Sequence, residues 1–128
     1  MKKRYVIVLS VVVVALFAVQ VFAEYDKELV VKAMQSNGAA MGELKKATEA
    51  KDFFMAAEKL MEIAKNMKSL EAMTPKKGSK EDWNKNHGAL IKAAFKGIGA
   101  CGDEDAEALN TYIGEIGALI KEGHSMFR

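Results

Sequence analysis

After residue 25, apolar side chains recur every three or four residues, and this spacing restricts the fold more than any other feature of the chain. In the segment from about Asp26 to Ala50 the recurring positions fall on one face of a helix. They are Val30, Met34, Asn37, Met41 and Leu44. Sustained alternation of apolar and polar residues is absent, and β-branched clusters are nearly absent after residue 31. The pattern predicts helices and no strand.

Four such helical segments follow one another with mostly short breaks between them. The second covers residues 52–72, with Asp52 as its cap. It begins close enough to the end of the first for the two to pack as antiparallel neighbours. The only proline, Pro75, lies in the longest break. The third segment begins with Ser79 as its cap, and the fourth begins near Asp103 after a glycine-containing stop. The predicted fold is an all-α, antiparallel up-down-up-down four-helix bundle.

The first 23 residues have the composition of a secretory signal peptide. A basic start at residues 2–4 precedes an apolar run over residues 6–17, and Ala23 offers a small residue for cleavage. We expect cleavage, a periplasmic location and a mature domain over residues 24–128. The alternative is an uncleaved membrane anchor, because the apolar run approaches the roughly 18 residues of a spanning helix.

The charge balance argues against a nucleic-acid partner. The signal segment holds three of the 19 basic residues and none of the 17 acidic ones, so the net charge changes from +2 for the whole chain to −1 for residues 24–128. That balance gives no net positive field to hold nucleic acid. The sequence also lacks a nucleophile–base pair, a glycine-rich phosphate loop and a metal-hydrolase motif. We therefore do not expect an enzyme.

The chemistry of the chain concentrates at its last residues, where an imidazole, an aromatic ring and a guanidinium lie close together as His124, Phe127 and Arg128. His124 lies on the flank of the apolar stripe of the fourth helix. In an up-down-up-down bundle the early part of the first helix, at Met34, comes level with His124. Imidazole is a strong iron ligand, and a thioether opposite it favours low-spin iron with a raised reduction potential.

Three stretches of the chain resemble the cytochrome c′/c-556 family of four-helix-bundle cytochromes. Residues 34–41, Met-Gln-Ser-Asn-Gly-Ala-Ala-Met, are similar to the helix-one signature of the family. Trp83 stands where members often carry a tryptophan at the start of helix three. Residues 123–128, Gly-His-Ser-Met-Phe-Arg, match the ending of the family apart from its cysteines.

The missing cysteines exclude covalent, c-type attachment of haem. Ile120 and Gly123 stand at the two cysteine positions, and Cys101 lies 23 residues before His124. The cytochrome b562 group of such bundles also lacks these cysteines, has a similar ending and holds haem non-covalently. Residues 86–88, Asn-His-Gly, also resemble its third helix.

The resemblance implies a b-type haem protein in the periplasm. It would transfer electrons, with a redox partner that the sequence does not identify, or bind a diatomic gas if one side of the iron has no protein ligand. The resemblance also implies that His124 is the iron ligand, that Met34 is the opposite ligand and that Arg128 meets a propionate. Met41, one heptad after Met34, is the substitute ligand. Phe127 and Trp83 complete the expected cofactor-binding set.

Two other interpretations stay open. Loss of both cysteines suits a cytochrome-like bundle that has lost haem and acts as a binding or structural module. The thioethers, together with His124 and His87, suit copper, although the sequence has no Met-x-x-Met cluster and no histidine pair at ligand spacing. We expect His87 to be a partly exposed residue without a ligand.

Two features bear on association between chains. Cys101 is the only cysteine, so an intrachain disulfide is excluded. We expect it to be a small buried residue, and pairing between chains is the alternative. A homodimer through the first two helices is also open, because the Phe53-Phe54-Met55 stretch offers apolar surface.

Overall fold

The computed structural model of the chain describes residues 24–128, which form four α-helices and no strand. Helix α1 spans Lys27–Glu49, α2 spans Phe53–Glu71, α3 spans Lys80–Gly102 and α4 spans Ala106–Phe127. The all-α class and the four predicted helices are confirmed. The predicted signal peptide lies outside the described residues and stays a prediction.

The residue before each helix caps its N-terminal end. The side chain of that residue accepts a hydrogen bond from the main-chain N–H three residues further on, at 3.0 to 3.2 Å. Such caps satisfy N–H groups that have no partner inside the helix. The four capping residues are Asp26, Asp52, Ser79 and Asp105. The caps predicted at Asp52 and Ser79 are confirmed.

The fourth helix was predicted to begin near Asp103 but begins at Ala106, three residues later, with Asp105 as its cap. Asp103 instead caps the C-terminal end of α3, where its N–H bonds to the carbonyl oxygen of Gly99 at 3.1 Å. The chain then turns through Glu104, whose φ is +53°. This turn leaves Asp105 in position to cap α4.

A cluster of buried apolar residues from all four helices, called the main core below, holds the four helices together. Small side chains let its helices approach closely: a Cβ atom on Gly97 of α3 would lie 2.8 Å from Leu60 Cδ1 of α2. Cys101 is buried here, as expected. The main core consists of Ala40, Leu44, Ala47, Ala56, Leu60, Ile63, Ala64, Met67, Leu90, Ala93, Ala94, Ala100, Cys101, Leu109 and Ile116.

The predicted inner face of α1 is correct only in part. Asn37 and Leu44 are buried, but the half-buried Met34 and Met41 do not belong to the buried stripe. Alanines take that place, because their short side chains allow close packing. The buried residues of α1 are Ala33, Asn37, Ala40, Leu44 and Ala47.

Helices adjacent in sequence pack along one another, so α1 contacts α2, α2 contacts α3, and α3 contacts α4. This packing is consistent with a bundle. By contrast, α1 and α4 make few contacts.

Within residues 24–128, every helix is too short or too polar to cross a membrane. Phe54, in the apolar stretch through which a homodimer was considered, is 81% exposed, and the dimer stays a prediction.

Candidate functional site

A cavity of about 1010 Å³ is lined mostly by α1, α3 and α4. The sparse contact between α1 and α4 leaves room for it, since both helices contribute to its walls. Ligand pockets in proteins usually measure about 300–1,000 Å³, so the cavity would hold a large organic ligand.

All six residues expected to bind the cofactor line this one cavity. Helix α1 contributes two of them, α3 one and the end of α4 three. They are Met34, Met41, Trp83, His124, Phe127 and Arg128. The structure therefore brings these six residues together, whereas coordination of iron by any of them stays a prediction.

The cavity has apolar walls and positively charged groups around them. Val30, Leu90 and Ile120 are among the apolar lining residues. Its four charged lining residues are all cationic, and none of the Asp or Glu side chains in residues 24–128 lines it. The four are Lys27, Lys76, Lys77 and Arg128. These surroundings suit a ligand with an apolar body and anionic groups at its edge.

His124 lies at the edge of the cavity rather than among the buried residues. The side chain lines the cavity but is exposed to solvent. The ring makes no hydrogen bond with the part of the chain that the structure describes, so no such bond fixes its orientation. Met34 and Met41, across from it on α1, are half buried.

Trp83 and Phe127 fasten the end of α4 to α3 and to the preceding loop. The buried Trp83 ring donates from Nε1 to the main-chain oxygen of Leu70 at 2.9 Å. It meets the Phe127 ring edge to face, with centroids 5.1 Å apart. Gly78, at φ +85°, packs so closely that an added Cβ would lie 2.9 Å from Phe127 Cδ1. The aromatic part of the wall is therefore rigid.

His87 is the site residue that the sequence analysis missed. We expected it to be partly exposed, but only 2% of it is exposed and it lines the cavity. Its Nδ1 lies 2.6 Å from the carbonyl oxygen of Trp83, one helical turn earlier. Burial is the main cause that lowers the pKa of His87 below its ordinary value. The ring is therefore neutral near pH 7.

Aromatic rings hold His87 in place. The His87 ring lies 4.1 Å from the Trp83 ring and 6.2 Å from the Phe127 ring, centroid to centroid. The four-residue spacing between Trp83 and His87 indicates from the sequence that the two residues share one face of the helix. The contact with Phe127 was not readable from spacing, because it depends on how α4 packs against α3.

The buried polar side chains of residues 24–128 all line the cavity. They are Asn37, Asn86 and His87. Asn37 donates to Met67 Sδ at 3.1 Å. Asn86 donates to the main-chain oxygen of Leu119 at 2.9 Å, and its Oδ1 lies where an added Cβ on Gly123 would come within 3.0 Å.

The metal donors of the cavity are imidazoles and thioethers. Residues 24–128 contain no cluster of three or more His, Cys, Asp or Glu side chains able to hold a metal ion. The cavity itself is lined by two histidines and three methionines, which are the donors of haem iron and also of Cu(I). These residues are His87, His124, Met34, Met41 and Met67.

Comparison with protein-family models, with curated proteins and with solved structures gave no match for this chain. The resemblance to the cytochrome c′/c-556 family therefore rests on the sequence stretches described above.

Proposed function

We propose that this protein is a periplasmic, cytochrome c′/b562-like haem protein that binds haem non-covalently through His124 and transfers electrons. The observation that carries the proposal is that the six residues implied by the resemblance line one cavity of suitable size. The fold then takes the up-down-up-down arrangement that short helix connections favour.

The donor set of the cavity fits haem. His124 offers a neutral imidazole, and Met34 or Met41 offers a thioether from the facing helix α1. An imidazole with a thioether is a known axial pair of haem proteins, and it raises the reduction potential of the iron. When bound, haem supplies an iron atom that gains and loses one electron.

The walls of the cavity fit the remainder of haem, which is a flat apolar ring with two carboxylates. Trp83 and Phe127 form an aromatic wall that would exclude water from the haem ring. Arg128 and the lysines of the same cavity would bind the carboxylates by charge-assisted hydrogen bonds. Lys77 already lies beside the end of α4, since its Nζ donates to the main-chain oxygen of Arg128 at 2.9 Å.

Titration of the purified 24–128 chain with ferric haem tests this proposal. We expect a saturable shift of the Soret band at one haem per chain. His124→Ala should weaken binding and change the spectrum, because it removes the imidazole. Ser125→Ala is the matched control, since Ser125 is an exposed neighbour on α4 outside the cavity lining. Absence of saturable binding, or equal binding by His124→Ala, would refute the proposal.

The cationic edge of the cavity also favours a second function, namely a haem-free bundle that binds an amphipathic carboxylate. Its supporting observation is that every charged lining residue is cationic, which suits an anionic group whether or not a metal is present. A long-chain fatty acid is a suitable probe. Tight fatty-acid binding by a chain that takes up no haem would favour this function over the first.

A further inference from the structure

The His87 ring is fixed in one orientation and one tautomer. A carbonyl oxygen only accepts hydrogen bonds, so the 2.6 Å contact with Trp83 requires the proton on Nδ1. Nδ1 therefore donates, and in the neutral ring Nε2 carries the lone pair. Contacts with Trp83 and Phe127 hold the ring in this position.

The lone pair of Nε2 has access to the cavity. Nε2 has no hydrogen-bond partner among residues 24–128, whereas every fully buried side-chain nitrogen or oxygen there has one. Nε2 is therefore not sealed inside the protein. Because 98% of the residue is buried and it lines the cavity, the open side of Nε2 is the cavity side.

We propose that His87 is a metal-ligating residue of this cavity and coordinates through Nε2 the metal of a bound metalloporphyrin. The proposal rests on the haem-binding function above. A porphyrin leaves its metal only two positions for protein ligands, so His87 together with His124 would replace the methionine ligand from α1 that the sequence resemblance implies. An imidazole whose Nδ1–H bonds to a main-chain carbonyl is the usual form of a metal-binding histidine, since that bond orients the ring and raises its basicity.

The two histidines of the cavity differ in how well each is prepared for coordination. His87 is buried, hydrogen-bonded and stacked, so little side-chain freedom is lost when Nε2 binds a metal. His124 is exposed and, among residues 24–128, without a hydrogen bond, so its ring must be ordered on binding. His87 should therefore contribute strongly to metal-dependent affinity.

Comparison of haem with metal-free protoporphyrin separates coordination from packing. Both porphyrins have the same apolar ring and carboxylates, but only haem carries iron. Removal of a group that hydrogen-bonds to a metal ligand costs about 10–100-fold in metal affinity. Removal of the ligand itself, in His87→Leu, should therefore weaken haem binding by about 100-fold. The same variant should leave binding of metal-free protoporphyrin nearly unchanged.

Ile120→Ala is the packing control, because Ile120 lines the cavity and offers no metal ligand. It should weaken haem and metal-free protoporphyrin by the same factor. His87→Gln, which keeps a polar side chain at this buried position, should behave as His87→Leu does. Helicity by circular dichroism checks that each variant is folded.

A measurement on the unmodified chain keeps the proposal testable if the His87 variants fail to fold. Cobalt(III) protoporphyrin is diamagnetic and takes two axial ligands, so side-chain nitrogens can be followed by ¹⁵N NMR. The His87 Nε2 resonance should shift on binding of the cobalt porphyrin and not on binding of the metal-free one.

Each outcome decides the proposal. Selective loss of haem affinity in the His87 variants, or the metal-dependent Nε2 shift where they do not fold, supports it. If the unmodified chain binds haem, but both folded variants keep its affinity or Nε2 does not shift, His87 is not a ligand and the role of His124 survives. If the unmodified chain binds no haem, both proposals fail.

Discussion

The main core and the wall of the cavity differ in the kinds of side chain that predominate, although both draw on the same helices and share Met67 and Leu90. The main core is almost entirely alanine, leucine and isoleucine, and most of its members are less than 5% exposed. The cavity wall has methionines, aromatic rings and every buried polar residue of the described chain. Close packing therefore stabilises the main core, whereas the cavity wall leaves imidazole and thioether donors available to a ligand.

Helix α1 shows the difference within a single element. One of its faces, which includes Ala40 and Leu44, is buried in the main core. The neighbouring face, which includes Val30 and Met34, lines the cavity. Short side chains let the helix backbone come close to α2, whereas longer and more flexible ones border the cavity. One amphipathic stripe in the sequence thus serves two surfaces.

The largest expected effect comes from truncating a side chain of the main core. Leu60 is fully buried, so Leu60→Ala should lower the free energy of unfolding by about 2–5 kcal/mol. Met34→Ala should lower it by only about 1 kcal/mol or less, since Met34 is only partly buried and borders the cavity. Urea denaturation of the haem-free chain measures both values. Equal losses would remove the distinction between the two regions.

Substitution of two glycines should change stability by a smaller amount, with opposite signs at the two positions. Gly97→Ala would push a Cβ atom to 2.8 Å from Leu60 Cδ1 and should destabilise the chain by about 1–3 kcal/mol. Gly38 lines the cavity, and an added Cβ there would have no atom within 4 Å. Gly38→Ala should therefore stabilise α1 by about 0.5–1 kcal/mol. A loss of stability in Gly38→Ala, measured by thermal unfolding, would show that the cavity face is packed like the core.

The smallest expected effect is a pH dependence caused by His87. Burial lowers the pKa of this imidazole below its ordinary 6.5, and the nearby Lys80 ammonium acts in the same direction. The hydrogen bond to Trp83 and the Glu71 carboxylate raise the pKa but do not outweigh burial. Below about pH 6.5 the unfolded chain therefore binds a proton that the folded chain does not.

Stability of the haem-free chain should consequently be highest above about pH 6.5 and fall as the pH is lowered toward the folded-state pKa of His87. Urea midpoints across this range measure the effect. The control is His87→Gln, which lacks the titrating ring and should show a shallower decline. Identical slopes for the two chains would mean that His87 is not held neutral by the fold.

Much of the fold was predictable because it depends on local signals. The caps at Asp52 and Ser79 and the three-to-four spacing placed the helices. The choice of buried face on α1 was less accurate, because alanines that pack closely against α2 are weak signals in a sequence. Close approach of two helices is decided by the pair and not by either helix alone.

The site was predictable only through resemblance to known cytochromes. Periodicity placed Trp83 and His87 on one face of α3 but gave no reason to expect His87 to be buried beside Phe127. That contact requires the end of α4 to pack on α3, which is a long-range arrangement. The cationic surroundings of the cavity were missed for the same reason, since Lys27, Lys76 and Arg128 lie far apart in sequence.

The absorption spectrum of the chain purified from cells that supply haem to the periplasm tests the central claim most directly. We predict a Soret band from haem that is bound without a covalent link and is therefore extracted by acidified organic solvent. The band should be altered or lost in His124→Ala and unchanged in Ser125→Ala. A colourless chain, or a Soret band that is the same in His124→Ala, would contradict the account.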